Sequence, residues 1–446
     1  MGAAADRLYR QIPYLYLVWA VPLILILAWV VPPWQNPDEA EHMLRTAQIA
    51  HGGLVGQRIN GSAGGTSDAG IAQASQPLAS LYGHYEQKAD AASIAAANAP
   101  VWGQLQYLPY PHTAVYPVFF YLPAALCVAV GEELGLHVSA TLRVARIVNG
   151  LCAVLMGALA LGLAQSTRVP LAALLTLPMT ISLCAAVNQD GLSIPLMCLC
   201  VAVVEYLVRR NRTLTPVELG FFAAALTMII MARPPYLPIA LLPLLPAGRA
   251  WKPAAICAGA VAAISCLWIA YVVGAVSVPA DGGDASAQIS FLLHNPLRIG
   301  AIALTTIRAD FPEYGRQLIG TLGYLDVWLP LPYLCCAAIV LLLAFLGGGA
   351  CELRRAWLLV VVVVAAAAGI FAAQYLTFTK PGAPDVAGVQ GRYFLPLLAI
   401  AALLTPTVPR IGPSLRRVAL LSVVALAVVT PAVMIRALVV RYYLYP

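Results

Sequence analysis

Charge is what this chain has least of. Asp, Glu, Lys and Arg make up 10% of its 446 residues, while 61% are hydrophobic. A soluble domain carries about 25% charged residues, so an ordinary soluble fold is excluded. Other absences narrow the field further. No Walker-type glycine loop occurs, so nothing points to a nucleoside triphosphate. No tandem repeat or heptad array runs through the sequence. The ten cysteines lie in or beside apolar runs, Cys198, Cys200, Cys335 and Cys336 among them. That placement argues against a disulfide framework or a zinc site and reads as small packing residues. The first apolar run, about 12–31, is followed by Pro32-Pro33-Trp34 and not by a small-residue cleavage site. It reads as a retained helix rather than a signal peptide.

What is present is apolar length. Runs such as Leu358 to Phe371 and Val418 to Val433 recur, and mean hydropathy is +0.82. Spanning hydrocarbon takes roughly 20 apolar residues in a helix. The expected fold is therefore all-α, a polytopic membrane protein forming one domain over 1–446. The net charge of +7 is not a nucleic-acid footprint, because it arises from compact clusters that sort by membrane side. These are Arg7/Arg10, Arg168, Arg209/Arg210/Arg212, Arg249/Lys252, Arg354/Arg355 and Arg410/Arg416/Arg417. The positive-inside rule puts them all in the cytoplasm. Spans then fall at about 12–31, 140–164, 169–187, 191–208, 217–232, 236–247, 253–278, 327–347, 356–376, 393–408 and 418–438. This predicts about eleven helices, with the N-terminus inside and the C-terminus outside.

Segment 113–131 breaks the count. Val115 to Val130 is apolar, but it contains Pro117 and Pro123, and a crossing there would put Arg168 and the Arg209 cluster outside. It is expected to be interfacial or re-entrant; a true crossing, with parity restored elsewhere, is the alternative. All six histidines and nearly all acids, apart from Asp6, Glu218 and Glu352, then lie outside. The outer loops are 32–112, 279–326 and 377–392, so any chemistry is expected on that face. Within the first loop, the Gly-, Ser- and Ala-rich stretch 60–70 reads as a flexible tip, and the Ala-rich stretch 90–97 as a short helix on the membrane surface.

The densest chemistry is Asn36-Pro37-Asp38-Glu39-Ala40-Glu41-His42, directly after the first span. Carboxylates at the mouth of a hydrophobic bundle are costly unless they bind or react with something. Asn36 is expected to cap a helix starting at Pro37, with Asp38 and Glu39 in its first turn. Helical spacing puts Asp38 with His42 on one face and Glu41 with Arg45 on another, where an ion pair is the purely structural reading. An ionised Asp38 is suited to accept a proton from an incoming hydroxyl. Asp38 and His42 alone are a weak signal for a metal. Three further groups face the same way. Asn188-Gln189-Asp190-Gly191 adds a carboxylate on a tight turn. Ala232-Arg233-Pro234-Pro235-Tyr236 adds an arginine that either snorkels to headgroups or holds a lipid phosphate. Gly388-Val389-Gln390-Gly391-Arg392-Tyr393-Phe394 adds a second arginine with aromatics, Lys380 lying on the same loop. Further outer pieces are His112, Tyr116, His294, Arg308, Asp310, Glu313 and Gly323-Tyr324-Leu325-Asp326.

Together, Pro37-Asp38-Glu39 with His42, Asn188 to Asp190, Pro235-Tyr236, Gly320 to Asp326 and Gly391-Arg392-Tyr393-Phe394 resemble the GT-C superfamily of membrane glycosyltransferases, which use polyprenyl-phosphate sugars. The closest likeness is to a bacterial GT-C-like family of predicted membrane proteins, across about the whole chain. The resemblance implies a transferase on the outer face of the bacterial cytoplasmic membrane, moving a monosaccharide from a polyprenyl-phosphate donor to a cell-envelope glycan or lipid. It implies catalytic roles for Asp38, with Glu39 as the alternative base, and for His42 and Asp190. Donor-phosphate contacts would fall on Arg392, Tyr393, Arg233 and Lys380, and acceptor or sugar contacts on His112, Tyr116, Tyr236 and Asp326. No cofactor or metal is required, and inversion or retention stays open. The sequence lacks the large soluble C-terminal domain of oligosaccharyltransferases, which favours a glycan or lipid acceptor over a protein. The rival reading is a transporter or flippase of a lipid-linked saccharide, which would bind through the same groups without reaction.

Overall fold

The computed structural model describes residues 3–211, 214–248, 251–279, 283–348, 356–404 and 412–445. Arg212, Arg249, Arg354, Arg355 and Arg410 of the basic clusters lie outside the described residues. In chain order come α1 (Ala3–Val30), α2 (Glu39–Ala50), β1 (Gln57–Ile59), β2 (Ser62–Asp68), α3 (Ala69–Ser75), α4 (Ala91–Asn98), β3 (Leu105–Pro109), α5 (Leu122–Glu133) and α6 (Val138–Leu163). Next are α7 (Arg168–Leu175), α8 (Pro178–Cys184), α9 (Asp190–Arg210), α10 (Pro216–Ala232), α11 (Trp251–Ala275), α12 (Ala285–His294) and α13 (Arg298–Gly320). The hairpin β4 (Thr321–Leu322) and β5 (Val327–Trp328) precedes α14 (Leu331–Leu346), α15 (Ala356–Thr377), α16 (Leu395–Ala401) and α17 (Gly412–Tyr442).

Six described helices are long and apolar enough to cross a membrane: Ala5–Val30, Val138–Leu163, Asp190–Arg210, Trp251–Ala275, Ala356–Thr377 and Ser414–Tyr442. The chain is thus a mostly helical, multi-pass membrane protein, but the expected eleven spans are not all of that kind. The stretches expected at 217–232 and 327–347 form α10 and α14, of 17 and 16 residues. The stretch 236–247 is largely a 3₁₀ helix, Pro234–Leu244, carrying Pro238 and Pro243; prolines there remove the N–H groups an α-helix needs. The stretch 169–187 is broken. Leu177, ahead of Pro178, is forced to an extended backbone, so α7 and α8 are separate, and both are buried by their neighbours. Segment 113–131 forms a short 3₁₀ turn and the 12-residue α5, about 18 Å long at the usual rise.

The first loop is also more ordered than its composition suggests. The stretch 60–70 is not a flexible tip. It contains the central strand of an antiparallel sheet, β2 pairing with β1 (Arg58↔Ala63) and with β3 (Thr66↔Tyr107). Its small residues are there because the sheet lies against α2: a Cβ on Gly65 would stand 2.3 Å from the Gln48 side-chain nitrogen. The expected surface helix is α4, capped by Asp90, which accepts from the Ser93 N–H.

The two ends of the bundle differ in chemistry. At one end, Arg416 donates to the Tyr9 hydroxyl at 2.7 Å, and Arg168 to the Tyr9 carbonyl at 3.2 Å. There too the buried Glu205 accepts from the backbone of Gln165 and Thr167. At the other end lie the first loop, the β4–β5 hairpin and the start of α16.

Candidate active site

Five chain segments meet at that second end. The first is the turn after α1. The helix does not begin at Pro37 under an Asn36 cap, as the sequence suggested. Asp38 is the capping residue, in left-handed backbone (φ 55°, ψ 19°), and α2 starts at Glu39. Asn36 instead donates from its side chain to Glu39 at 2.9 Å. A non-glycine residue in the left-handed region is strained by about 1–3 kcal/mol, and such residues cluster at functional sites. The turn separates neighbouring carboxylates. Asp38 points outward, its side chain 38% exposed. Glu39 points inward, fully buried, and accepts from Arg146 Nε at 2.8 Å. Glu39 is therefore no candidate base, since its carboxylate is held in a buried ion pair that braces α2 against α6.

The second and third segments supply Asp190 and Arg233. Arg233, just past α10, grips Asp190 at the start of α9 with a two-pronged contact: Nε to Oδ1 at 2.9 Å and Nη2 to Oδ2 at 2.6 Å. The fourth segment brings Arg392. Gly391 makes its approach possible, because a Cβ there would lie 2.0 Å from the Tyr314 carbonyl. Arg392 is only 5% exposed and lies between the two aspartates, Nη2 at 3.8 Å from Asp38 and Nε at 3.9 Å from Asp190. The one hydrogen bond its side chain makes to a described residue runs from Nε to Gln390 at 2.7 Å. Tyr393 lies beneath both guanidiniums, its ring centre 4.1 Å from Arg233 and 5.7 Å from Arg392. The fifth segment is the β4–β5 turn, whose Tyr324 hydroxyl donates to Asp38 at 3.3 Å.

His42 sits one turn into α2. Its Nδ1 is 2.7 Å from the Tyr121 hydroxyl, and its ring stacks on Tyr116 at 6.1 Å. Burial drives its pKa down to about 4, against the pull of Asp38 and Asp190, so the imidazole is neutral near pH 7. Burial pushes Glu41 the other way, above the usual carboxylate range. Glu41 accepts from the His112 backbone at 3.0 Å and does not pair with Arg45. Arg45 is buried and spends its donors on the carbonyls of Gly53, Leu54 and Tyr116.

Of the residues expected to matter, Asp38, Asp190, Arg233, Arg392, Tyr393, His42 and Tyr116 therefore come together. Four others hold other positions. Tyr236 donates its hydroxyl to the Tyr393 carbonyl at 2.6 Å and so supports the Arg392 turn. Asp326 is bound by Arg441 at 2.7 Å and anchors the β4–β5 hairpin. His112 lies against Glu41. Lys380 is exposed and has no ionic partner among the described residues. Sequence reasoning missed Arg146, Tyr121 and Arg441. An arginine inside the apolar stretch 138–163 was the one signal that pointed to a buried partner.

A family model described as predicted membrane protein (DUF2142) matches residues 21–401. The chain belongs to this family. The matched stretch contains every residue of the site from Asp38 to Arg392, and Arg441 lies beyond it. No curated protein and no solved structure matches the chain.

Proposed function

We propose that this protein is a GT-C-like membrane glycosyltransferase that uses a polyprenyl-phosphate monosaccharide and acts on a cell-envelope glycan or lipid. The observation that carries this reading is the unequal treatment of two aspartates by two arginines. Arg233 holds Asp190 in a two-pronged ion pair, whereas Arg392 and Asp38 stay out of hydrogen-bond range of each other. A donor phosphate entering between them would take the free Nη groups of Arg392 in a forked contact and leave Asp38 open to the acceptor. The acceptor oxygen then bonds to the anomeric carbon as the bond from that carbon to the phosphate oxygen breaks. The hydroxyl proton passes to Asp38, and the polyprenyl phosphate leaves against Arg392, where charge develops. An apolar groove of about 410 Å³ between α13 and α15, lined by Ile302, Ile307, Phe371 and Val386, suits the polyprenyl chain. It adjoins the arginine turn through Phe371, whose ring lies 5.9 Å from that of Phe394.

The basic end of the bundle supports an orientation. With Arg168, Arg209, Arg210 and Arg416 in the cytoplasm, the site faces outward from a bacterial inner membrane, and the shorter apolar elements α10 and α14 complete further passes toward the expected eleven. The test is turnover of radiolabelled polyprenyl-phosphate sugars by protein in lipid nanodiscs. Wild type should consume donor and label an envelope acceptor fraction. Asp38→Asn, nearly isosteric and tolerant of left-handed backbone, should lower the rate about 10²–10⁴-fold with donor binding kept. Movement of intact donor across vesicles without consumption would identify the protein as a transporter instead.

A further inference from the structure

On the open side of Asp38, two aromatic pairs join the loop 82–85 to the β4–β5 hairpin. The Tyr82 and Tyr324 rings lie 4.6 Å apart at 53°, and those of Tyr85 and Trp328 5.4 Å apart at 35°. Rings that only packed a core would be covered, yet Tyr82 is 57%, Tyr85 44% and Trp328 61% exposed. The support beneath them is rigid. Arg441 is buried and bonds to both sides of the seam, to Asp326 of the hairpin at 2.9 Å and to the Gln87 carbonyl of the loop at 3.2 Å. It also donates to the Leu81 carbonyl, and its guanidinium lies 5.2 Å from the Tyr85 ring centre. The far side of Trp328 lines a pocket of about 210 Å³ with Arg316 and Thr321. Thr321 pairs with Trp328 across the hairpin. Its hydroxyl is buried and has no hydrogen-bond partner among the described residues.

We propose that these aromatic pairs and the Thr321 pocket form the binding site for a saccharide acceptor of more than one sugar unit. The inference rests on the transfer reading for the role of Asp38. Sugar rings present C–H faces to the electron-rich faces of aromatic rings, while their hydroxyls need donors and acceptors, here the exposed Arg316 and its neighbour Glu313. One unit lies at the Tyr82–Tyr324 pair, where the Tyr324 hydroxyl already touches Asp38, and a further unit at Tyr85–Trp328. Preformed tilted pairs fixed from below need little ordering on binding. A lipid-facing aromatic belt has no use for a charged, half-exposed Arg316 in a pocket beside it.

The test is saturation-transfer NMR on the full chain in nanodiscs, with cellotetraose, mannotriose and tetra-N-acetylchitotetraose as probes. Wild type should transfer saturation to the axial ring protons of at least one probe. The double variant Tyr82→Ala/Trp328→Ala should lose that signal at least fivefold, and Trp328→Tyr should retain most of it. No transfer to any of the three probes, or equal transfer to the double variant, would overturn the proposal. Brominated lipids provide a second check: the fluorescence they quench should be the same in wild type and Trp328→Phe, and a loss of quenching in the variant would place Trp328 in lipid and sink the idea. None of these readings needs turnover. A protein that binds a probe and transfers no sugar would refute the transferase reading and leave the site standing.

Discussion

Arg233 holds Asp190 through contacts of 2.6–2.9 Å, whereas Arg392 stays 3.9 Å from the same carboxylate. The two arginines are thus not equivalent, although the sequence offered them as parallel phosphate ligands. Arg233 is bound to its counter-ion and stacked on Tyr393, and breaking its pair would leave the buried Asp190 with only the more distant Arg392 opposite it. Arg392 has donors to spare.

A difference in behaviour is expected from that. Arg392→Lys and Arg392→Ala should weaken binding of a polyprenyl-phosphate analogue. The alanine variant should lose more than about 1.5 kcal/mol, the lower range for a hydrogen bond to a charged group, and a lysine lacks the planar fork. Both variants should keep the wild-type melting temperature within a few degrees. Arg233→Ala should instead lower the melting temperature markedly. Equal analogue affinity in wild type and both Arg392 variants would take Arg392 out of the donor site.

The buried pair of Glu39 and Arg146 is expected to matter for stability rather than chemistry. Removing one partner of such a pair costs about 3–5 kcal/mol. Arg146→Met should therefore melt well below wild type in detergent, and Glu39→Gln should be milder because it keeps hydrogen-bonding atoms in place. Unchanged thermal stability in both would show the pair to be dispensable.

Much of the site was legible because its residues announce themselves one at a time: a proline–acid turn after the first apolar run, a carboxylate on a glycine turn, arginines at helix ends. What stayed hidden depends on partners far along the chain. Glu39 and Asp38 are neighbours with the same chemistry, and only Arg146, 107 residues from Glu39, separates their roles. Asp326 likewise looked like a ligand because Arg441 is 115 residues away. The glycine-rich strand 62–68 was misread for a different reason: its small residues reflect close packing on α2, which composition does not distinguish from flexibility. Hydropathy found the long spans, but runs such as 169–187 and 236–247 are strongly apolar too. Their prolines break them.

Sidedness is testable with exposed positions at opposite ends. Ser67 is buried under α2, donating to the Leu44 carbonyl at 2.9 Å, so a reporter belongs at the exposed Asn60. A cysteine at Asn60 should react with an impermeant thiol reagent on intact cells, and one at Asn211 should not, once the native cysteines are replaced. Labelling of Asn211 from outside would invert the orientation and put the site in the cytoplasm.

His42 should make the fold sensitive to acid. Its pKa is lowered to about 4 by burial, against about 6.5 in an unfolded chain. Between those values the unfolded state binds a proton that the folded state refuses, so stability falls as pH drops from 6.5 toward 4. The stabilisation from a neutral His42 is fully present above pH 6.5 and lost below about 4, a difference of about 3 kcal/mol. His42→Asn, which keeps an acceptor near the Tyr121 hydroxyl but does not titrate, should lack this component. The measurement is the melting temperature of both proteins in one detergent at steps from pH 7 to pH 4. Wild type should fall more steeply than the variant over that window. Parallel curves would mean that the imidazole takes its proton without opposing the fold, and that water reaches Nε2 at the base of the site.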